Sequence, residues 1–375
     1  MTKINKQQMI LWRSGRKDRK HLPVLQEFEH AKAIFSLQET VTDYAKLCKA
    51  VGQSRQETAD FYRSITKQWS KGREGKVSVS TSKLVSGLSR IKIYGELVMF
   101  SHSLFALPFG LIGMMLAANG LPEFRVFFWI LLALLGARNA ANAVNRLIDH
   151  QIDARNPRTA HRHLPRGVVK PGEVLALSVA GFLLLIIAAW QLNSLCLKLS
   201  PLAVFILVAY SYTKRFTWAS HLVLGFACGI APTASWLAVT GKFDLPPLLL
   251  TAAVMCWVAG FDIIYATQDV EFDRKEGLQA IPARFGTRAA LRIAKALHLA
   301  VLVLLSLVPR FLAPPYATLG LPYYLGVLCV AGLLTWEHLL VNPEDLKKVT
   351  TAAYTVNQII GVTLFLFTTI DVFLF

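Results

Sequence analysis

Residues 136–167 read GARNAANAVNRLIDHQIDARNPRTAHRHLPRG. The stretch opens apolar enough to lie in a bilayer. It then sets Arg138, Asn142, Asn145, Asp149 and Asp153 on one face of a single predicted helix, because spacings of three and four residues stack side chains. At a rise of about 1.5 Å per residue, Asn145 to Asp153 spans roughly 12 Å, or two turns. An ionised carboxylate at membrane depth costs on the order of 2.5–3.5 kcal/mol on insertion scales, so such residues face a wet cavity or a counter-ion. A helix end leaving the bilayer accounts for Asp153 alone, as an ordinary cap. It does not account for five polar residues on one stripe followed by Arg155, Arg158, Arg162 and Arg166.

Outward from this stretch, the composition sets the class. A chain of 375 residues with 54% hydrophobic residues and mean hydropathy +0.44 is too apolar for an ordinary soluble enzyme. The charge is uneven. Residues 1–90 hold 18 Lys/Arg and 8 Asp/Glu, a local +10 of the overall +17, and from about Leu97 onward the chain is a series of membrane-length apolar runs. The expectation is an all-α polytopic membrane protein (91–375) behind a basic, partly helical cytoplasmic extension and linker (1–90). Basic charge confined to an extension and alternate loops fits membrane orientation better than nucleic acid, and no nucleic-acid partner is expected. Cys48, Cys196, Cys228, Cys256 and Cys329 form no CxxC pair, which argues against a disulfide framework or zinc site. With 90 polar residues ahead of the first apolar run, no cleavable signal peptide is expected.

Within the extension, Phe28, Ala31, Ile34, Leu37, Val41, Tyr44, Leu47 and Val51 recur at helical spacing, and a second amphipathic piece runs from Glu57 to Trp69. KGREGKVSVSTSK links it to the rest. It reads either as a solvated tail or as a helical hairpin on an anionic leaflet.

Nine apolar runs follow, near 97–118, 125–149, 173–193, 199–213, 218–239, 246–267, 293–310, 321–340 and 350–372. Loops after the even-numbered runs are the basic ones: Arg155 to Lys170, Lys214 and Arg215, Arg274 to Arg288, Lys347 and Lys348. Loops after the odd-numbered runs carry one or two cations, such as Arg125, Lys198, Lys242 and Arg310. This alternation puts the N-terminus in the cytoplasm, the C-terminus outside, and every functional-looking cluster on the cytoplasmic side of the inner membrane.

A second cluster, FDIIYATQDVEFDRKEG, repeats the construction of the first. Asp262, Tyr265, Asp269 and Asp273 recur at three or four residues, with Arg274 and Lys275 behind them. One DxxxD on a helix is a weak signal; two, each closing a membrane span about 120 residues apart, are much stronger. Hard carboxylate oxygens suit Mg²⁺, which keeps some waters and takes other ligands from carboxylates and phosphates. Neighbouring Arg and Lys would meet the outer phosphate oxygens. A proton or cation pathway uses similar acids but does not need so many flanking cations. A diphosphate beside an apolar cavity suggests a lipid diphosphate whose allylic C–O bond ionises, and the cation then needs a dry pocket with aromatic faces. Phe100, Phe105, Phe109, Trp236 and Tyr265 are the candidates, against an alternative of ordinary packing.

NRLIDHQID followed by NPRT and LPRG, together with YATQDVEFDRKEG and IPARFG, resembles the UbiA-type intramembrane prenyltransferase superfamily across roughly residues 91–375. The resemblance implies nine transmembrane helices around a central cavity open to the cytoplasmic side. It also implies Mg²⁺ held by Asn145, Asp149, Asp153, Asp269 and Asp273, with catalysis by these four acids, and polyprenyl diphosphate and an aromatic acid as substrates in a lipid setting. Tyr210 and Lys214 match a Tyr and Lys that contact the diphosphate, with Arg158, Arg162 and Lys275 as further candidates. Arg138, matching an arginine near the acceptor, and Asn142 are the acceptor candidates. HRHLPRG stands where members commonly have NRPLPSG. The wording is most similar to 4-hydroxybenzoate polyprenyltransferases, and especially to a branch assigned to the futalosine route to menaquinone, which implies a phenolic or naphtholic acid alkylated beside its hydroxyl in ubiquinone or menaquinone biosynthesis. Asp262 is then a candidate base or orienting group, against an alternative of a purely structural role. The competing reading is a transporter or lipid-binding membrane protein using the same acids.

Overall fold

In lipid every backbone polar group needs an internal partner, and a chain of apolar runs meets that need with helices. The computed structural model describes residue 90, residues 92–98 and residues 103–374, with backbone alone for 103–106, and is all-α. In order, α1 is Ser103–Ala118, α2 Phe124–Ile148, α3 His150–Arg155, α4 Pro171–Leu192, α5 Ser194–Thr213, α6 Ser220–Thr240 and α7 Leu245–Ala266. A 3₁₀ turn, Thr267–Asp269, leads into α8, Val270–Lys275; then come α9 Ile281–Phe285, α10 Thr287–Leu307, α11 Leu321–Leu340, a π-helical segment Thr351–Val356 and α12 Asn357–Leu374. The helical stripes expected in the extension, the linker and Phe100 lie outside the described residues, as does the side chain of Phe105.

Among the described residues, eight helical stretches are long and apolar enough to cross a membrane. The chain is a polytopic membrane protein. The first of the nine expected runs is seen as the shorter α1. Bounds agree to within a few residues except at α5 and α10. Expected at 199, α5 begins at Ser194, because Asn193 in extended conformation turns the chain within one residue and accepts a hydrogen bond from the Cys196 amide at 2.9 Å. Lys198, expected in a loop, is therefore an exposed residue of α5. Helix α10 begins at Thr287 rather than 293, since Arg288 and Arg292 continue the helix beyond its apolar part.

The helices close on themselves. From α2 the packing runs α2–α4–α5–α6–α7–α10–α11–α12, α12 returns to α1, α1 touches α2, and α1 also lies along α6. The main apolar core, around Phe109, Trp236, Leu250, Trp257, Tyr323 and Leu364, fills the side bounded by α1, α6, α7 and α10–α12. On the outside, Leu175, Val179, Leu183 and Ile187 repeat every four residues along α4 as an exposed apolar stripe, as a lipid-facing helix requires.

Lipid tails supply no hydrophobic drive between helices, so packing rests on close approach and polar contacts. Both are present. A Cβ added at Gly113 of α1 would lie 2.3 Å from the Pro232 carbonyl of α6, and one at Gly225 would lie 2.3 Å from the Met255 carbonyl of α7. Glu337 of α11 is 0% exposed and accepts from Asn357 Nδ2 at 2.9 Å, while Asn357 Oδ1 accepts from Trp257 Nε1 at 2.6 Å. Asn357 also donates to the Ala352 and Ala353 carbonyls, at 3.1 and 3.3 Å, where the π segment leaves them open.

Gly225→Val is expected to destabilise the detergent-solubilised protein by about 1–3 kcal/mol, the usual range for overpacking. Gly172→Ala, where an added Cβ meets nothing within 4 Å, serves as the control and is expected to leave the thermal midpoint unchanged.

Candidate active site

Each acidic motif sits where its helix breaks. The expected continuous helix from Asn145 to Asp153 is interrupted at Asp149 (φ −90°, ψ 4°), between α2 and α3. Asp269 (φ −104°, ψ 7°) stands at the matching place, between the 3₁₀ turn and α8. Asp is a weak helix former that competes for nearby backbone groups, and this bridge conformation recurs at active sites. The break is gentle, since the amides of Asp149 and Asp153 still bond four residues back, at 2.9 and 2.7 Å.

Both breaks open on one polar cavity of about 300 Å³. Asn145, Asp149 and Asp153 line it from one side; Asp262, Asp269 and Asp273 line it from the other. Arg138, Asn142, Arg158, Arg162, Tyr210 and Lys214 complete the sequence-predicted residues found there. Lys275 does not line it and is exposed, because the short α8 carries that side chain outward.

The acids are compensated by cations from elsewhere in the chain. Asp149, only 4% exposed, receives Lys214 Nζ at 2.6 Å, Arg215 Nη2 at 2.9 Å and Asn145 Nδ2 at 3.2 Å. Asp153 is forked by Arg162 Nη1 at 2.7 Å to each oxygen, with Arg146 at 3.9 Å. Asp269 takes a two-pronged contact from Arg158 through Nε, at 2.9 Å, and Nη2, and a further bond from Asn156 Nδ2 at 3.1 Å. Arg158 also meets the Tyr265 hydroxyl and lies 4.7 Å over its ring. Burial opposes the charge on Arg158, but the hydrogen bond and the negative charge of Asp269 outweigh it, so its pKa rises above the ordinary arginine value. An Asx turn, with the Arg158 amide donating to Asn156 Oδ1 at 2.9 Å, sets the arginine in place.

Two uncommitted groups stand out. The Asp273 carboxylate and the Asn145 amide oxygen make no hydrogen bond among the described residues. Deeper in, Arg138 Nη1 donates to Cys228 Sγ at 3.3 Å, and its Nε is buried without a partner among the described residues. Asn142 is less available, since its amide donates to the Val98 carbonyl at 2.6 Å. Arg138, Tyr210, Leu224 and Cys228 also line a second, apolar cavity of about 330 Å³ walled by α2, α4, α5 and α6, so the two cavities share one boundary.

Sequence reasoning missed several lining residues. Arg146, Asn156, His221, Trp257, Phe261 and Tyr354 all line the polar cavity. Arg215, counted in the sequence only as a loop charge, reaches Asp149. Of the proposed aromatics whose side chains are described, Tyr265 lines this cavity and Phe109 and Trp236 do not. Trp236 is 0% exposed, donating to Asp244 at 3.1 Å, and Phe109 packs on Trp257 at 4.9 Å between ring centres. Both are core residues.

No group of three or more His, Cys, Asp or Glu stands ready to cage a metal among the described residues. What the cavity offers is hard oxygen from Asn145, Asp149, Asp153, Asp269 and Asp273. That set fits magnesium, which holds few protein ligands alongside waters and phosphate oxygens.

The UbiA prenyltransferase family profile matches residues 106–364. The 4-hydroxybenzoate octaprenyltransferase of Vibrio cholerae is 32% identical over 255 residues, 67% of this chain and 84% of that protein. The one from Aeromonas salmonicida is 32% identical over 280 residues, 74% of this chain and 92% of its own length. Among solved structures, the apo UbiA homolog from Aeropyrum pernix K1 superposes with TM-score 0.65 at 31% identity, covering 72% of this chain and 98% of that one. A UbiA homolog from Archaeoglobus fulgidus, bound to GPP and Mg²⁺, shares the fold at TM-score 0.58 and 19% identity, covering 74% and 99%.

Removing either partner of the Arg158–Asp269 pair leaves a largely buried charge. Arg158→Ala is expected to lower stability by about 1–3 kcal/mol, the range for a charged hydrogen bond. The double variant Arg158→Ala/Asp269→Ala should recover part of it, giving a coupling on the order of 1 kcal/mol in a thermal-unfolding double-mutant cycle.

Proposed function

The chain belongs to the UbiA prenyltransferase family, and from that premise we propose that it transfers a polyprenyl group from polyprenyl diphosphate to an aromatic acid of quinone biosynthesis, 4-hydroxybenzoate or a hydroxynaphthoate. The observation that carries the reading is the meeting of two acidic helix breaks around one cavity, with an unsaturated arginine below them. The relatives named 4-hydroxybenzoate octaprenyltransferase support the aromatic acid as acceptor.

Asn145, Asp149, Asp153, Asp269 and Asp273 would hold Mg²⁺. When bound, the metal neutralises charge on the leaving diphosphate. Lys214, Arg158 and Arg162, which balance the acids in this structure, have phosphate oxygens as equivalent partners, and Tyr210 stands beside them at the boundary between the cavities. The apolar cavity takes the prenyl chain, so the allylic carbon lies at the boundary. Arg138 holds the acceptor carboxylate, replacing the weak sulfur contact of its guanidinium by a charge-assisted one. Tyr265, Trp257 and Phe261 supply aromatic surface near the reacting atoms and keep water away from an allylic cation. The site opens to the cytoplasm from an inner membrane that the chain crosses nine times, with the C-terminus outside, as the basic loops suggest.

With geranyl diphosphate and 4-hydroxybenzoate or 1,4-dihydroxy-2-naphthoate, purified protein should give a prenylated acid identifiable by mass. Chelation should abolish the product and Mg²⁺ restore it. Asp149→Ala and Asp269→Ala should each lower the rate by at least about 100-fold, beyond the 10–100-fold typical of losing an outer-shell partner. Arg138→Ala should raise the acceptor KM about 10-fold, as the loss of one charged hydrogen bond implies, and leave that of geranyl diphosphate unchanged. Binding without product in the wild type would favour a transporter instead.

A further inference from the structure

Prenylation beside a hydroxyl releases a proton, and none of the residues assigned above receives it. Five acids line the polar cavity, and three of them, Asp149, Asp153 and Asp269, are saturated by Lys or Arg. Asp273 belongs to the metal motif. Asp262 is different. Among the described residues no Lys or Arg is within ion-pair distance of it; its partner is His221, whose Nδ1 lies 2.7 Å from Oδ2. The acid side chain is 26% exposed and the imidazole 6%, so the carboxylate meets the cavity with the ring buried behind it.

We propose that Asp262 and His221 form the proton-accepting pair for the acceptor hydroxyl, Asp262 taking the proton and His221 positioning it; this rests on the prenyl-transfer reading. His221 stands in the first turn of α6, where the neighbouring Ser220 hydroxyl donates to the Gln279 carbonyl at 3.3 Å. Its Nε2 is buried without a hydrogen-bond partner among the described residues. With its proton on Nδ1, a neutral ring donates to Asp262 and leaves at Nε2 a bare lone pair. An orphaned buried nitrogen carries an unrecovered desolvation cost. A histidine kept at that cost for one bond to a cavity carboxylate serves that carboxylate. Oδ1 of Asp262 makes no hydrogen bond among the described residues, which leaves it open as the proton acceptor.

Placement agrees. Asp262 precedes Asp269 by seven residues, about 10 Å deeper along α7. That depth leaves room for a phosphate and an aromatic ring between the diphosphate site and the acid. Phe261 and Tyr265 share this part of the wall.

The step balances. The ring carbon beside the hydroxyl forms a C–C bond to the allylic carbon, whose C–O electron pair leaves with diphosphate. As this bond forms, the hydroxyl becomes strongly acidic, so a carboxylate is base enough to accept its proton at Oδ1. The resulting dienone loses its ring proton to water and regains a proton on oxygen from Asp262. One proton is released overall, and the carboxylate is restored.

The test compares Asp262→Asn, His221→Leu and His221→Gln with wild type, using geranyl diphosphate and 4-hydroxybenzoate. Transfer and acceptor-independent hydrolysis of geranyl diphosphate are both followed by mass. Asp262→Asn should lower kcat for transfer about 100-fold, the lower end for losing a general base, and should lower transfer about 10-fold more than hydrolysis. His221→Leu should lower transfer about 10-fold, while His221→Gln, whose amide can still donate to Oδ2, should recover most of it. The more acidic 3-fluoro-4-hydroxybenzoate should narrow the gap between Asp262→Asn and wild type. Equal loss of transfer and hydrolysis in Asp262→Asn, transfer close to wild type, or a Gln variant as impaired as Leu overturns the pair. A wild type that binds geranyl diphosphate but prenylates neither acid overturns the proposed function instead.

Discussion

Carboxylates buried at a membrane face persist only if something compensates them, and here compensation comes from distant parts of the chain. Asp149 draws on Lys214 and Arg215, some 65 residues away, and Asp269 on Arg158, 111 residues away. An uncompensated buried charge costs several kcal/mol, so separating either partner from these pairs is costly. They also pin the loops. The segment after α3 is fixed over the cavity by its arginines, and Arg155 adds a tie to Glu276 at 2.8 Å. An anionic ligand with its metal can exchange partners with such pairs while charge stays balanced throughout.

The shared boundary of the two cavities gives that balance a direction. On one side lie acids and cations; on the other lie leucines, alanines and isoleucines of α2, α4, α5 and α6. A molecule with a charged head and a hydrocarbon tail is the only kind whose two ends both match. Arg138 sits at the junction with a sulfur contact, and a guanidinium in so dry a place is poorly satisfied by it. The proposed pair of ligands, an amphiphilic diphosphate and a small carboxylate, matches this arrangement.

How much of this was legible in the chain follows from what helical spacing can encode. Spacing places Asn145, Asp149 and Asp153 on one face, and the motif repeated at Asp269 and Asp273 implies a partner helix end. Hydropathy locates the spans to within a few residues, except where a single Asn193 makes a whole turn or where arginines extend α10 past its apolar part. Spacing does not say that both helices break at the acids, and at Asp149 the amide still bonds four residues back through the break. Nor can it show which arginine crosses to which acid. Lys275 reads as near the site by proximity to Asp273, yet a two-residue step around a short helix turns it outward. Trp236 and Phe109 look like cavity aromatics only because composition does not distinguish a wall from a core. His221 carries no spacing signal at all, since its partner lies 41 residues on.

The wall opposite the basic loops is held by different means. Trp257 lines the polar cavity, and its indole is tied through Asn357 to Glu337, while its carbonyl lies 3.3 Å from His298 Nε2. His298 in turn meets His338 at 3.0 Å and lies 3.7 Å from Glu337. This chain of polar side chains joins α7, α10, α11 and α12 deep in the apolar layer. Polar residues in lipid are expensive, and a network of them persists where helix contacts would otherwise be non-directional. The consequence is a division of labour: ion pairs fix the mouth of the cavity, and a buried hydrogen-bonded network fixes its aromatic wall. The acids at the mouth are not among the groups that position Trp257, so the wall is held independently of the ion pairs there.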